Sequence, residues 1–580
     1  MLRSGCSPAE AWADAPQWRI LETGFGVGAH FLRVWHAWRG DARRPRMLHV
    51  VSIDANPVAR DALVQAAAGA GADIEALAGQ LAAQWRGLLP GFHRLSFEEG
   101  RVLLTLCIGD VQAMLRTQRF DADSVYLDGD GALASPDTLK AVSRFARRGT
   151  RLFAATGARD MRDALTQCGF QIQPATDMPA GQQALTGIYD PAWTPRRRVP
   201  EAQPAVAGHC AVIGAGLAGA AVAASLARRG WQVTVLDAAA QSATGASGVP
   251  VAVMAPHVSP DDALLSRLTR AGIRMTRQQL AQWLVEGEDW RDSGVLERRA
   301  PDDLRVPSGW TANGPNDSWP ASEAQRFAAM WPTGAAALWH ASGAWVKPAR
   351  LVQAWLAQPG ITLRTGCHVA RMQRAPDGWA LHDGDGHCLL QADRVVLAAG
   401  FGSGPLAPGQ PLQPVRGQVN WGRMDQAPTL PATPLNGDGH LIAQVPQSDG
   451  AIWLTGASFG RDQTDVRPNA QDSSDNLARL GRLHPQAAAL LAPHFHGPSV
   501  QAWAGVRCAS ADRRPLVGPL IGPLDGIDDP GGAWLCSALG SRGLSFAVLC
   551  AELLAARWHA EPLPLPTRLA AALDTGRPRA

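Results

Sequence analysis

The sequence predicts two consecutive α/β halves, the second carrying an inserted mixed-sheet region. Three observations predict this. First, a short apolar run, a glycine-rich turn and a helix-forming stretch occur in that order twice, from Arg19 and again from Cys210. Second, each set leads into a further strand that ends in an acid, Asp54 or Asp237. Third, residues 191–208 (PAWTPRRRVPEAQPAVAG) are rich in Pro and Ala and lack hydrophobic periodicity. Proline joins neither ladders nor helix interiors, so this stretch reads as a linker. The expected organisation is therefore 1–190, linker 191–208, and 209–580. A chain of 580 residues is long enough for two to four domains. With 46% apolar and 18% charged residues it has ample material for cores.

The first half begins Arg19-Ile20-Leu21-Glu22-Thr23-Gly24-Phe25-Gly26-Val27-Gly28, then AHFLRVWHAWRG. Glycines at such a turn let a ligand approach the backbone, and the helix start offers free N–H groups. Asp54 ends the next strand, where a carboxylate accepts ribose hydroxyls. Further strands end at Asp110 and at Asp128 and Asp130. Four βα units with acids at the strand ends predict an open parallel sheet, its ligand outside the carboxyl ends. G-x-G-x-G lacks the third-glycine spacing of dinucleotide folds and fits S-adenosylmethionine better than NAD. With the acids in order, the prediction is a class I methyltransferase fold. Its candidate cofactor residues are Glu22, Gly24, Gly26, Gly28, Asp54 and Asp110. Asp128 is placed to hold an attacking amine and take its proton. For Asp110 and Asp128 alike, a helix cap is the alternative role.

The second half opens AVIGAGLAGAAVAASLARRGWQVTVLDAA. Gly214 makes the turn, Gly216 admits a pyrophosphate, Gly219 lets helix and strand pack, and Asp237 accepts ribose hydroxyls. Three later pieces point to FAD. Gly245-Ala-Ser247-Gly248 is a small-residue turn, and LQADRVVLAAG returns to the nucleotide domain at Gly400. Gly540-Ser541-Arg542-Gly543 opens a long apolar helix whose N-terminus suits an electron-rich flavin edge. Together they predict an amino-acid-oxidase-like flavoprotein with a substrate region at 254–395 and 410–505. Lys347 lies there before Pro348, either pairing a substrate carboxylate, tuning the flavin, or simply solvated.

Composition excludes some classes. Of 54 Lys+Arg only Lys140 and Lys347 are lysines, and the net charge is +3. Residues 1–200 hold 23 basic and 20 acidic residues, and the rest hold 31 of each. The surplus equals the triplet Arg196–Arg198, so bulk charge does not mark a strongly basic nucleic-acid binder, and only a local patch stays open. Nine cysteines without a C-x-x-C suggest a reducing compartment. Without an apolar leader core or a run of about 18 apolar residues, the chain reads as cytoplasmic and off the membrane. No His/Cys cluster has metal spacing, and His494-x-His496 reads as a surface loop. The 21 tryptophans read mostly as core.

Six stretches together resemble the MnmC family of bifunctional tRNA 5-methylaminomethyl-2-thiouridine biosynthesis proteins. They are ETGFGVGAHFL (22–32), VYLDG (125–129), GASG (245–248), PVRGQV (414–419), GVRCASADRRPLVG (505–518) and ALGSRGL (538–544). The resemblance implies a monomer acting on the anticodon-loop wobble uridine of tRNA. The FAD half would remove the carboxymethyl group from a carboxymethylaminomethyl side chain, by oxidation beside the amine and imine hydrolysis. The S-adenosylmethionine half would then methylate the freed amine. Arg507 and Arg416 fall in matching motifs, and either holds a substrate carboxylate or RNA phosphate, or forms a structural ion pair. The rival reading is a free amino-acid or sarcosine-type FAD oxidase with a vestigial first domain.

Departures from the family fall mostly in the first half. Only 21 residues precede Glu22, and Asp128-Gly129-Asp130-Gly131-Ala132 replaces a D-G-F-A-P pattern. Residues 174–191 lack the family's basic run. In the second half GASGVPVA replaces GASGNRQG, and Lys347 replaces a small residue. Misplacement by about 1 Å costs on the order of 10²-fold, so weakened methyl transfer is expected, with an incomplete first domain.

Overall fold

The computed structural model describes residues 9–128, 135–156, 158–175, 184–193, 204–308, 310, 317–426, 429–495, 497, 499–520 and 532–578. Asp130, the triplet Arg196–Arg198 and His496 lie outside them. The chain divides into two compact units: residues 1–206 with 556–570, and 207–555 with 571–580.

The first unit is built on eight strands: β1 (Gln17–Glu22), β2 (Met47–Asp54), β3 (Gly91–Phe97), β4 (Val102–Ile108), β5 (Ala122–Leu127), β6 (Ala146–Ala154), β7 (Phe170–Pro174) and β8 (Leu185–Tyr189). Their order is β3-β4-β2-β1-β5-β6-β8-β7. The strands β4, β2, β1, β5 and β6 pair in parallel, while β3, β8 and β7 join antiparallel. Helices cover both faces, so the parallel strands are apolar on both sides. Ile20, Val50 and Leu104 pack into one core, and Leu21, Val51 and Val125 into the other. Asp123 on β5 pins β1: its Oδ2 accepts from the Arg19 backbone at 2.8 Å and from Arg19 Nε at 3.1 Å.

Strand β3 escaped the sequence reading because His93 and Arg94 interrupt its apolar pattern. Both are buried, Arg94 donating to the Pro562 carbonyl at 2.7 Å. The segment 556–570, expected with the second half, belongs to this unit. Gln17 Nε2 donates to the His559 carbonyl at 2.7 Å, and Thr567 N to the Thr117 carbonyl at 2.9 Å.

The second unit has a six-stranded sheet, ordered Ile361–Arg364, Gln232–Leu236, His209–Ile213, Arg394–Leu397, Ala533–Ser537, Leu516–Pro519. The first five strands are parallel and the last is antiparallel. The helix Leu217–Arg228 is almost entirely buried, which its run of Gly and Ala permits. A buried cluster ties it to the helix Gly543–His559: Glu552 accepts from Arg228 at 2.7 Å, Arg229 at 2.8 Å and Ser225 at 2.7 Å. The inserted region forms a nine-stranded sheet, in which Gln413–Arg423 pairs antiparallel with both Gly450–Gly456 and Gln501–Ala509. Trp345, Trp355, Trp379 and Trp453 are among the largest fully buried side chains, as core tryptophans should be. Among the described residues no helix is long and apolar enough to cross a membrane.

Candidate active sites

In the first unit the strand order reverses direction between β1 and β5, the position where open α/β sheets bind ligands. Glu22 ends β1, Asp54 ends β2, and Asp128 follows β5 directly. Glu22 is buried, with His30 Nδ1 3.1 Å from its Oε1, and its Oε2 accepts no hydrogen bond among the described residues. Gly26 has φ +52° and donates its N–H to Asp54 Oδ2 at 3.1 Å. No atom lies within 4 Å of where a Gly26 Cβ would stand, which leaves the turn open to a ligand. Gly28, at φ +73°, begins the helix Ala29–Gly40, and a Cβ there would meet the Phe25 ring at 2.9 Å. Gly24 faces Asp128, whose Oδ2 would be 2.7 Å from a Cβ at residue 24.

Of the two acids with alternative roles, Asp110 takes the role of a cap, on the helix Val111–Arg116, accepting from Ala113 N at 2.8 Å. Ser135, not Asp128, caps the helix Pro136–Ser143. Asp128 is exposed, and its own N–H donates to Thr23 Oγ1 at 3.3 Å.

The second unit contains a cavity of about 1080 Å³. Gly214, Gly216, Asp237, Gly245, Ser247, Gly400, Gly540, Ser541, Arg542 and Gly543 line it. Gly219 does not, because it works inside the fold. Its missing Cβ would lie 1.8 Å from the Gly214 carbonyl oxygen, so only glycine lets helix meet strand. Gly214, at φ +110°, likewise leaves no room beside the Ala398 carbonyl. Ser247 Oγ accepts from Leu217 N at 3.0 Å and steadies the helix start. Asp237 accepts from Ala215 N at 2.6 Å. The glycine cradle, helix start and cavity size fit a dinucleotide cofactor.

Arg507 and Arg416 separate. Arg416 is buried in an ion pair with Asp472 and donates to the Arg467 carbonyl at 2.7 Å, which is a structural role. Arg507 lines the cavity and has no carboxylate partner among the described residues. Its guanidinium donates to the carbonyls of Val415, Arg416 and Ser458 and to Ser541 Oγ, leaving one of five N–H groups unspent among the described residues. Burial draws its pKa down to about 10, as expected of a cation without a counter-charge. Lys347 is not in the lining. It precedes the helix Pro348–Leu356, its backbone N–H donating to the Asp289 carbonyl at 2.9 Å, and burial lowers its pKa against the pull of Asp289.

Sequence comparison gives the same two halves. Residues 209–557 match the family model "FAD dependent oxidoreductase", and 72–190 match "S-adenosyl-L-methionine-dependent methyltransferase". The tRNA 5-methylaminomethyl-2-thiouridine biosynthesis bifunctional protein MnmC of Polaromonas sp. (strain JS666 / ATCC BAA-500) is 49% identical, over 98% of this chain and 92% of that protein. The chain belongs to the MnmC family. Its Paracidovorax citrulli (strain AAC00-1) member is 48% identical over 99% of this chain and 94% of that protein. The cofactors are accordingly FAD and S-adenosylmethionine. Among solved structures, glycine oxidase from Geobacillus kaustophilus superposes with a TM-score of 0.51 at 18% identity, covering 64% of this chain and 99% of that one. At that identity it supports the oxidase fold alone.

Several cavity residues of this MnmC-family chain carried no sequence signal. Glu297 reaches the cavity from the strand Val295–Arg298 and pairs with buried His340 Nε2 at 2.6 Å and Arg299 at 3.2 Å. Burial opposes its charge, yet His340 and Arg299 hold its pKa below the usual range. His257, also in the lining, is lowered by burial and by the charges of Arg542 and Arg299. Glu297 and His340 lie 43 residues apart and meet only because their strands pair antiparallel.

Proposed function

We propose that the chain modifies the wobble uridine of tRNA in two steps. The second unit removes the carboxymethyl group from 5-carboxymethylaminomethyl-(2-thio)uridine, and the first methylates the resulting aminomethyl group. The observation that carries this reading is 48–49% identity to MnmC proteins over nearly the whole chain. FAD supplies the two-electron oxidation and S-adenosylmethionine the methyl group.

The residues then take these roles. Gly214, Gly216, Asp237, Gly245, Ser247, Gly400 and Gly540–Gly543 hold the flavin, Gly219 closing the packing behind them. Arg507 directs its spare N–H to the substrate carboxylate, a charge-assisted contact that orients the carbon to be oxidised. In the first unit Glu22, Gly24, Gly26, Gly28 and Asp54 hold the methyl donor, with Asp110 supporting the loop after β4. Asp128 accepts the proton of the attacking amine. Lys347, outside the cavity lining, is given no part in this reading. A monomer, a cytoplasmic location and no action on DNA belong to the same reading.

The test is incubation of the protein with tRNA bearing the carboxymethylaminomethyl group, with and without S-adenosylmethionine, followed by nucleoside mass spectrometry. Aminomethyl-uridine without the methyl donor and methylaminomethyl-uridine with it are expected. Turnover of small N-alkyl glycines with untouched tRNA would replace this reading by a free amine oxidase. The altered sequence after Asp128 makes the methyl step the one to quantify: aminomethyl-uridine accumulating despite the donor would show it weakened.

A further inference from the structure

We propose that Phe459 is the stacking platform for the uracil ring of the wobble nucleotide, set so that the ring's substituent reaches Arg507. This rests on the tRNA reading above. Phe459 lines the cavity yet is 50% exposed. An apolar ring left in water beside a ligand cavity loses the stabilisation that burial would bring, and a flat ligand restores it.

The backbone beside the ring is anchored. Its neighbour Ser458 is buried, donates its backbone N–H to the Gln418 carbonyl at 3.0 Å and accepts from Gln418 N at 3.0 Å through Oγ. The Arg507 guanidinium lies 5.2 Å from the Phe459 ring centroid, a cation–π contact that orients both groups. The pair therefore offers, side by side, a π surface and a half-buried cation without a carboxylate partner among the described residues. A ligand that satisfies both carries a flat ring and a carboxylate a few ångströms apart. In 5-carboxymethylaminomethyluridine four bonds separate the ring from the carboxyl carbon, roughly 5 Å when extended. Single-stranded bases splayed from RNA loops are recognised by aromatic stacking in this way.

Anaerobic bleaching of the flavin band in the full-length holoprotein, titrated with tRNA bearing carboxymethylaminomethyluridine, tests the inference. Phe459→Ala and Phe459→Leu are expected to raise the half-saturating tRNA concentration by about tenfold or more, while Phe459→Tyr stays within about twofold of wild type. Phe327→Ala, an 88% exposed ring outside the cavity lining, is expected to match wild type. Titration of the flavin difference spectrum with N-methylglycine, a carboxylate without a base, is expected to be the same for wild type and Phe459→Ala. A wild-type titration curve for Phe459→Leu would overturn stacking in favour of mere bulk. Parallel loss of N-methylglycine binding would overturn it in favour of a displaced Arg507. No bleaching of the wild type by this tRNA would bring down the functional reading itself, whereas equal bleaching of wild type and Phe459→Ala removes only the stacking role.

Discussion

Arg507 donates through Nη1 to Ser541 Oγ at 3.0 Å, joining the strand Gln501–Ala509 to the turn Gly540–Gly543. The group assigned to the substrate carboxylate is thereby braced against the group assigned to the flavin. Loss of the guanidinium fork should therefore affect substrate and not cofactor. Arg507→Lys is expected to keep the flavin band and raise the half-saturating substrate concentration roughly 10- to 100-fold, the worth of a hydrogen bond to a charged group. Titrated flavin reduction checks it; an unchanged titration rejects the assignment.

Gly219→Ala places a Cβ 1.8 Å from the Gly214 carbonyl oxygen. Backbone cannot yield as a side-chain tip does, so helix Leu217–Arg228 must move away from its strand. The expected product is soluble or aggregated protein without bound flavin, read from the visible absorbance after purification. Full flavin occupancy would contradict the packing role.

Gly24→Ala acts on the other chemistry. Its Cβ would stand 2.7 Å from Asp128 Oδ2 and displace that carboxylate. Methyl transfer is expected to fall about 10²-fold with carboxymethyl removal intact. Nucleoside mass spectrometry reads both steps in one sample, and methylation at the wild-type rate would remove Asp128 from the reaction.

Glu552 makes stability depend on acidity. Burial alone would raise its pKa, but Arg229, Arg228 and Ser225 hold it at about 2 in the fold, against an ordinary 4.5. The folded value is the lower one, so this stabilisation is complete above about pH 4.5 and fades as pH falls toward 2. Glu552→Gln is expected to lower the temperature of flavin release clearly at pH 7 and much less at pH 3. An equal loss at both pH values would show that the charge is irrelevant.

Lys347→Met tests the lysine that stands out in an arginine-rich chain. Because it is absent from the cavity lining, flavin reduction by tRNA is expected to proceed at the wild-type rate. A large loss of rate with the flavin retained would place its ammonium in the reaction.

Local patterns were legible where one segment carries its own physics. The glycine turns at 24–28 and 214–219, each followed by a helix start and a strand-end acid, needed only backbone geometry and short spacing. Strand β3 was not legible, since buried His93 and Arg94 read as polar until Pro562 supplied Arg94 with an acceptor. Nor was the place of residues 556–570, because their hydrogen-bond partners are Gln17, Arg19, Arg94 and Thr117, hundreds of positions away.

The sequence by itself determined the two α/β halves, their cofactors and the family, because those rest on contiguous motifs. Only tertiary structure decided which of two motif arginines is structural and which faces the cavity. It also turned Asp110 into a cap and set Asp128 beside Gly24, brought Glu297 to His340, and placed Arg507 over the Phe459 ring. The physical reason is common to all four. A side chain's role depends on what desolvates it and what charge lies within a few ångströms, and strand pairing brings those neighbours from distant parts of the chain.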